Sequence, residues 1–175
     1  NLSLAGSLIG DWAYATAVTV WAYGVGGVTA VGVWGVVRLL LLASFTPFAA
    51  VLADRYSRRL VMISSDVVRA VLVLAAAACV YWDAPPATVF VLATLASLAG
   101  APFRPAQQAL LPSLVDRPEE LTAANGTGST LESLAFFLGP AIGGLLLTVA
   151  DVPVVFLLQV LTFLWSAAVI WSIRP

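Results

Sequence analysis

Six apolar stretches, at residues 4–23, 29–53, 60–82, 87–111, 121–149 and 152–173, take up nearly the whole chain and are separated by short polar interruptions. Each is long enough to cross a hydrocarbon core of roughly 30 Å at ~1.5 Å of rise per residue. The runs are continuously apolar, without the alternation that lipid-facing strands need, so they read as membrane-spanning helices. Hydrophobic residues make up 61% of the 175 and charged residues only 10%, whereas a soluble domain of this length carries enough charge to cover its surface. The expected fold is all-α and integral to the membrane, with six transmembrane helices. The fourth stretch becomes more polar after Phe103 and continues through Pro105.

Composition also removes reaction classes. Histidine is absent and Cys79 is the one cysteine, which excludes Ser-His and Cys-His pairs, zinc-type HExxH sites and a disulfide framework. No GxSxG or Walker A pattern is present, so the chain is read as a non-enzyme without metal or organic cofactor. It starts on Asn1, with no basic n-region and no small-residue cleavage site, and ends at Pro175 as the sixth stretch leaves the membrane. The first stretch is therefore not expected to be a removable signal, and the chain reads as a portion of something longer.

Charge placement orients the stretches. Arg55, Arg58, Arg59, Arg117 and Arg174 follow the second, fourth and sixth, with Arg104 near the same side, whereas the other connections carry only Asp83 and Asp151. The positive-inside bias predicts that the arginine-rich connections and both ends of the segment face the cytoplasm. Three spans followed by three more also match half of an inverted-repeat transporter.

The densest charge cluster, AVLADRYSRR at residues 50–59, resembles motif A of the major facilitator superfamily (MFS), Gly-x-x-x-Asp-Arg-x-Gly-Arg-Arg/Lys. Asp54, Arg55, Arg58 and Arg59 match, while Ala50 and Ser57 stand where the motif has glycine. The fifth stretch is similar to motif C, the antiporter motif, through Gly126, Gly139, Pro140, Gly143 and Gly144, with Ala135 replacing a glycine. SSDVVRAVLVL, RPAQQALLPSLV and LTAANG resemble the branch that holds enterobactin and macrolide exporters. The mid-helix arginine of motif B has no counterpart in the fourth stretch, where Ala96 precedes Gly100.

The resemblance implies that residues 1–175 form the N-terminal six-helix bundle of a twelve-helix transporter, built as a 3+3 inverted repeat, with the C-terminal bundle outside this chain. It implies secondary active transport in the plasma (inner) membrane. The process would be proton-coupled export of small amphipathic compounds such as drugs or siderophores, with the proton gradient as energy source. The implied partners are the lipid bilayer, a small-molecule substrate and the missing C-terminal half; no nucleic acid is expected. A non-transporting six-helix scaffold or a channel module is the alternative.

Ionisable residues at membrane depth are the site candidates, because each is costly unless paired or wet. Asp11, Arg38, Arg69 and Glu132 fall near the midplane by helical rise. Asp11 reads either as the proton or cation carrier or as half of a structural pair with Arg38. Glu132 is a second carrier, a contact for a cationic substrate, or a local hydrogen-bond partner of Ser129 or Ser133. Asp66 and Arg69, three residues apart with the acid first, read as an intrahelical pair in a supporting charge network. Trp12 and Tyr14, beside Asp11, either face substrate or pack. Ala135, Gly139 and Gly143 form a small-residue face beside Pro140 that suits close helix packing. Trp21, Tyr23, Tyr81, Trp82, Trp165 and Trp171 suit interfacial belts. By the resemblance, the Asp54 loop is a cytoplasmic latch onto the opposite half.

Overall fold

The computed structural model describes residues 2–110, 112 and 118–172, and all regular structure among them is helical. The helices are α1 (Leu2–Arg55), α2 (Arg58–Tyr81), α3 (Pro86–Gly100), α4 (Phe103–Leu110), α5 (Pro118–Val149) and α6 (Val152–Ser172). Arg117 and Arg174, which contributed to the orientation argument, lie outside the described residues.

Five helices among the described residues are long and apolar enough to cross a membrane, at Leu8–Arg55, Arg58–Tyr81, Pro86–Leu110, Thr122–Val149 and Val152–Ser172. The count differs from the six expected stretches because the first two run together as α1. Gly26 (φ −148°, ψ 19°) and Gly27 (φ 62°, ψ −155°) break its helical backbone, and the positive φ of Gly27 is open to glycine but strained for other residues. The chain turns back here. Trp21 and Trp34, on opposite sides of the break, both pack against Phe90, and Leu8, Asp11, Arg38 and Leu42 line one cavity.

The other joints are equally short. Tyr56 and Ser57 part α1 from α2, so motif A is two helix ends around a two-residue joint and not an open loop. At the opposite end, Asp83 adopts the left-handed conformation (φ 51°) that aspartate tolerates better than most residues. Pro85 and Pro86 then start α3, where a missing backbone donor is harmless.

Inside the bundle α2 lies along α6 and α3, while α1 packs on α5 and α6. Tyr14, Val18, Val73, Val89, Phe156 and Phe163 anchor the main core. A second cluster of Ala53, Val61, Met62, Phe103, Ala106 and Ile170 closes the end that carries Arg55, Arg58 and Arg59. Apolar side chains such as Leu39, Phe48, Phe137 and Val149 cover the outside, which suits a surface wetted by lipid. Tyr23, Tyr81, Trp82 and Trp171 are exposed near helix ends as belts require, but Trp21 turns inward onto Phe90.

Candidate functional site

A cavity of about 230 Å³ opens between the two arms of α1, α2, α3, α4 and α6. Its charged lining is Asp11, Arg38, Arg69 and Arg104, set among Tyr14, Trp34, Phe163 and aliphatic side chains.

Asp11 is gripped from two other helices. Arg69 Nη2 of α2 donates to Asp11 Oδ1 at 2.5 Å, and Gln159 Nε2 of α6 donates to the same oxygen at 2.8 Å. Gly10 makes room for the amide, since a Cβ there would stand 2.2 Å from Gln159 Oε1 and 2.8 Å from Thr162 Oγ1. The Thr162 hydroxyl, which donates to the Gln159 carbonyl at 2.8 Å, also lies 3.1 Å from Gln159 Oε1. One third (33%) of the Asp11 side chain stays accessible against 13% of Arg69, so the carboxylate can still be reached from the cavity.

Arg69 is seated by packing. Its guanidinium carbon lies 4.0 Å from the centre of the Phe163 ring, a cation–π contact in a water-poor setting. Gly100 of α3 leaves the space, because a Cβ there would stand 2.9 Å from Arg69 Nε.

These contacts correct two expected pairs. Arg38 does not bridge to Asp11; its Nε donates to Ser97 Oγ at 2.8 Å and its guanidinium stacks on Trp34, 5.4 Å from the ring centre. Arg69 bonds Asp11 and not Asp66, so α2 lines the cavity and does not merely support it. The neighbouring helices decide the outcome: Arg69 reaches across to Asp11 of α1, and Asp66 lies against Ser166 of α6. Asp66 is fully buried against α6, where Ser166 approaches its carboxyl without hydrogen-bond geometry, and neither oxygen has a partner among the described residues.

Tyr14 lines the cavity and meets Phe156 edge-on, its hydroxyl buried without a partner among the described residues. Trp12 points elsewhere. It packs on α5 against Phe136, ring centres 4.8 Å apart, and does not line the cavity. Glu132 pairs with Arg104 of α4 instead of Ser129 or Ser133, and the Ser133 hydroxyl donates to the Ser129 carbonyl. Gln159, Ser97, Gly10 and Phe163 are not among the residues the sequence singles out, and Gly100 enters there only beside Ala96 in the motif B comparison. Gln159 carried a signal, as the one amide in an otherwise apolar run, where a polar group needs a partner.

A model of the family described as the Major Facilitator Superfamily matches residues 1–175. The chain belongs to the major facilitator superfamily. It is similar to macrolide efflux protein A of Enterococcus faecalis, 30% identical over 138 residues that cover 75% of this chain and 41% of that protein. Macrolide efflux protein A of Streptococcus pyogenes is 32% identical over 125 residues, 68% of this chain and 29% of that protein. The staphyloferrin A transporter of Staphylococcus aureus is 29% identical over 136 residues, 75% of this chain and 34% of that protein. The chain thus spans less than half the length of these curated relatives. No solved structure matches it significantly.

The MFS motifs take concrete form here. In motif C, Gly139 and Gly143 are where α5 touches α1. A Cβ on Gly139 would stand 2.3 Å from Trp12 Cβ, and one on Gly143 would stand 2.9 Å from the Ala13 Cα and carbonyl oxygen. Ala135 is buried on the same face. Gly126 and Gly144 face open space and take no part in that contact. Pro140 sits inside α5, where it withholds one backbone donor.

The motif A arginines act within this bundle. Arg58 Nη1 donates to the Ala109 carbonyl at the end of α4 at 2.7 Å. Arg59 donates to the Ile170 and Trp171 carbonyls at the end of α6 and stacks on the Trp171 ring. Guanidinium groups at the negative ends of two helices satisfy carbonyls left over by helix geometry. Arg55 ends α1 in the same favourable sense. Asp54 is exposed, and its side chain makes no hydrogen bond or ion pair among the described residues.

Proposed function

We propose that this MFS chain is one six-helix half of a proton-coupled exporter of small amphipathic compounds, working by alternating access in the plasma (inner) membrane. The observation that carries the reading is Asp11. A carboxylate inside a membrane-spanning helix is held by Arg69 and Gln159 from two other helices yet stays reachable from the cavity. Protonation cancels its attraction for Arg69, which frees α2 and α6 to shift against α1 and biases the inward/outward equilibrium. The efflux names of the relatives support the direction, and macrolides and a siderophore indicate the range of cargo.

The reading counts α1 as two of six crossings. A single helix of 48 residues would be about 72 Å long, more than twice the hydrocarbon core, so its two arms each cross once on either side of Gly26–Gly27. Positive-inside placement puts the Arg55–Arg59 end in the cytoplasm together with both ends of the segment. The lipid bilayer, the small-molecule cargo and a second six-helix half are the partners, the proton gradient the energy source, and no cofactor or nucleic acid takes part.

The test uses the natural protein at its native length in liposomes. An imposed pH gradient drives movement of a fluorescent amphipathic dye, and Asp11→Asn lowers gradient-driven flux at least about tenfold, a change of ~1.4 kcal/mol in barrier. Flux that ignores the gradient would overturn proton coupling, and full flux in the variant would overturn the assignment to Asp11.

A further inference from the structure

The charges around the cavity do not balance. Arg69 is matched by Asp11 and Arg104 by Glu132. Arg38 lines the same cavity and has no carboxylate within ion-pair distance among the described residues. An arginine far from both ends of a membrane helix is costly unless something compensates it, and a single serine hydroxyl does not neutralise a charge.

Arg38 is also held ready. Its Nε is committed to Ser97, whose hydroxyl lies 3.0 Å from the Ala93 carbonyl. Its plane stacks on Trp34, which is itself tied through Nε1 to Thr94 Oγ1 at 3.3 Å. That fixes the side chain on α3 and leaves both terminal nitrogens without a partner among the described residues. Two parallel N–H groups on a rigid guanidinium match the two oxygens of a carboxylate. Besides Ser97 and the paired Asp11, Arg69 and Arg104, the rest of the lining is apolar or aromatic, including Leu8, Leu42, Tyr14 and Phe163.

Resting on the transporter reading, we propose that Arg38 is the anchor for the carboxylate of an amphipathic organic acid, so that this cavity selects anionic cargo over neutral cargo of the same shape. The anion neutralises the unmatched guanidinium and its apolar body lies against the aromatic wall. Asp11 is already paired with Arg69 and hydrogen-bonded to Gln159 through Oδ1, and it makes no ion pair with Arg38.

Binding of tritiated naphthylacetate to the purified natural protein in detergent, competed with unlabelled naphthylacetate or with naphthylacetamide, isolates the charge. The two compounds differ only at the carboxylate or amide, and the experiment needs no gradient. Its outcome is therefore separate from gradient-driven flux. The carboxylate binds at least ~10-fold tighter than the amide to the unaltered protein, and Arg38→Gln reduces the preference to within about twofold. Arg38→Lys keeps the charge but loses the fork and gives an intermediate preference, which decides the matter if Arg38→Gln does not fold. Equal affinity for acid and amide in the unaltered protein, no binding of the acid, or a preference left at its full unaltered size in either variant overturns the proposal.

Discussion

Arg69 on α2 reaches Asp11 on α1 at 2.5 Å, and through that contact the first membrane helix is tied to the third apolar stretch of the sequence. Both groups are sheltered from bulk water, so deleting one leaves the other uncompensated. Arg69→Gln should lower the unfolding free energy by about 3–5 kcal/mol, read as a fall in melting temperature in detergent. Adding Asp11→Asn to that variant should recover about 0.5–3 kcal/mol, because the stranded charge goes with its partner. Additive losses would show that the two residues do not depend on each other.

Glycine contacts in α5 give a sharper test of packing. Gly143→Ala places a methyl group 2.9 Å from the Ala13 backbone, and backbone cannot rotate away as a side chain can. The helices must part, at about 1–3 kcal/mol. Gly144→Ala meets nothing within 4 Å and should leave the melting temperature unchanged or slightly raised. Equal behaviour of the two variants in thermal unfolding would argue against the α1–α5 contact.

The helical stretches were legible in the sequence because hydropathy and length determine them almost alone, and Gly26–Gly27 marked the turn within α1. The small-residue face at Gly139 and Gly143 was equally readable, since a bare backbone in a membrane helix invites close approach. Pairing across helices was not legible. Asp66 and Arg69 have the spacing of an intrahelical pair, but α2 turns one towards Ser166 of α6 and the other towards α1. Asp11 and Arg38 share a depth, yet contact depends on the rotation of each arm, which no local pattern encodes. Gln159 announced itself as a lone amide among aliphatics, but its partner lay 148 positions away.

Asp66 is fully buried and neither carboxylate oxygen is hydrogen-bonded among the described residues. A charge in that position opposes folding. Asp66→Asn removes it at nearly constant volume and supplies a donor that can face Ser166. Stability in detergent should rise by about 1–3 kcal/mol. An unchanged or lowered melting temperature would count against a charged, unpartnered carboxyl at this site.

Motif A separates into two jobs that mutations can tell apart. Arg59 holds the last carbonyls of α6 and stacks on Trp171, so Arg59→Gln removes contacts inside this bundle. It should cost about 1.5–3 kcal/mol, the range for hydrogen bonds to a charged group. Asp54 is exposed and touches no charged group among the described residues, so Asp54→Asn should leave thermal stability within ~0.5 kcal/mol of the starting protein. Its proposed partner is a helix N-terminus on the opposite half, where a carboxylate contributes about 0.3–2 kcal/mol to the closed state. Losing that contribution shifts the inward/outward equilibrium by roughly 2- to 30-fold towards inward-open. Spin-label distances across the cytoplasmic face of the natural protein in liposomes read that ratio directly. An unaltered distance distribution in Asp54→Asn, at normal insertion, would remove the latch and leave motif A as a set of helix caps.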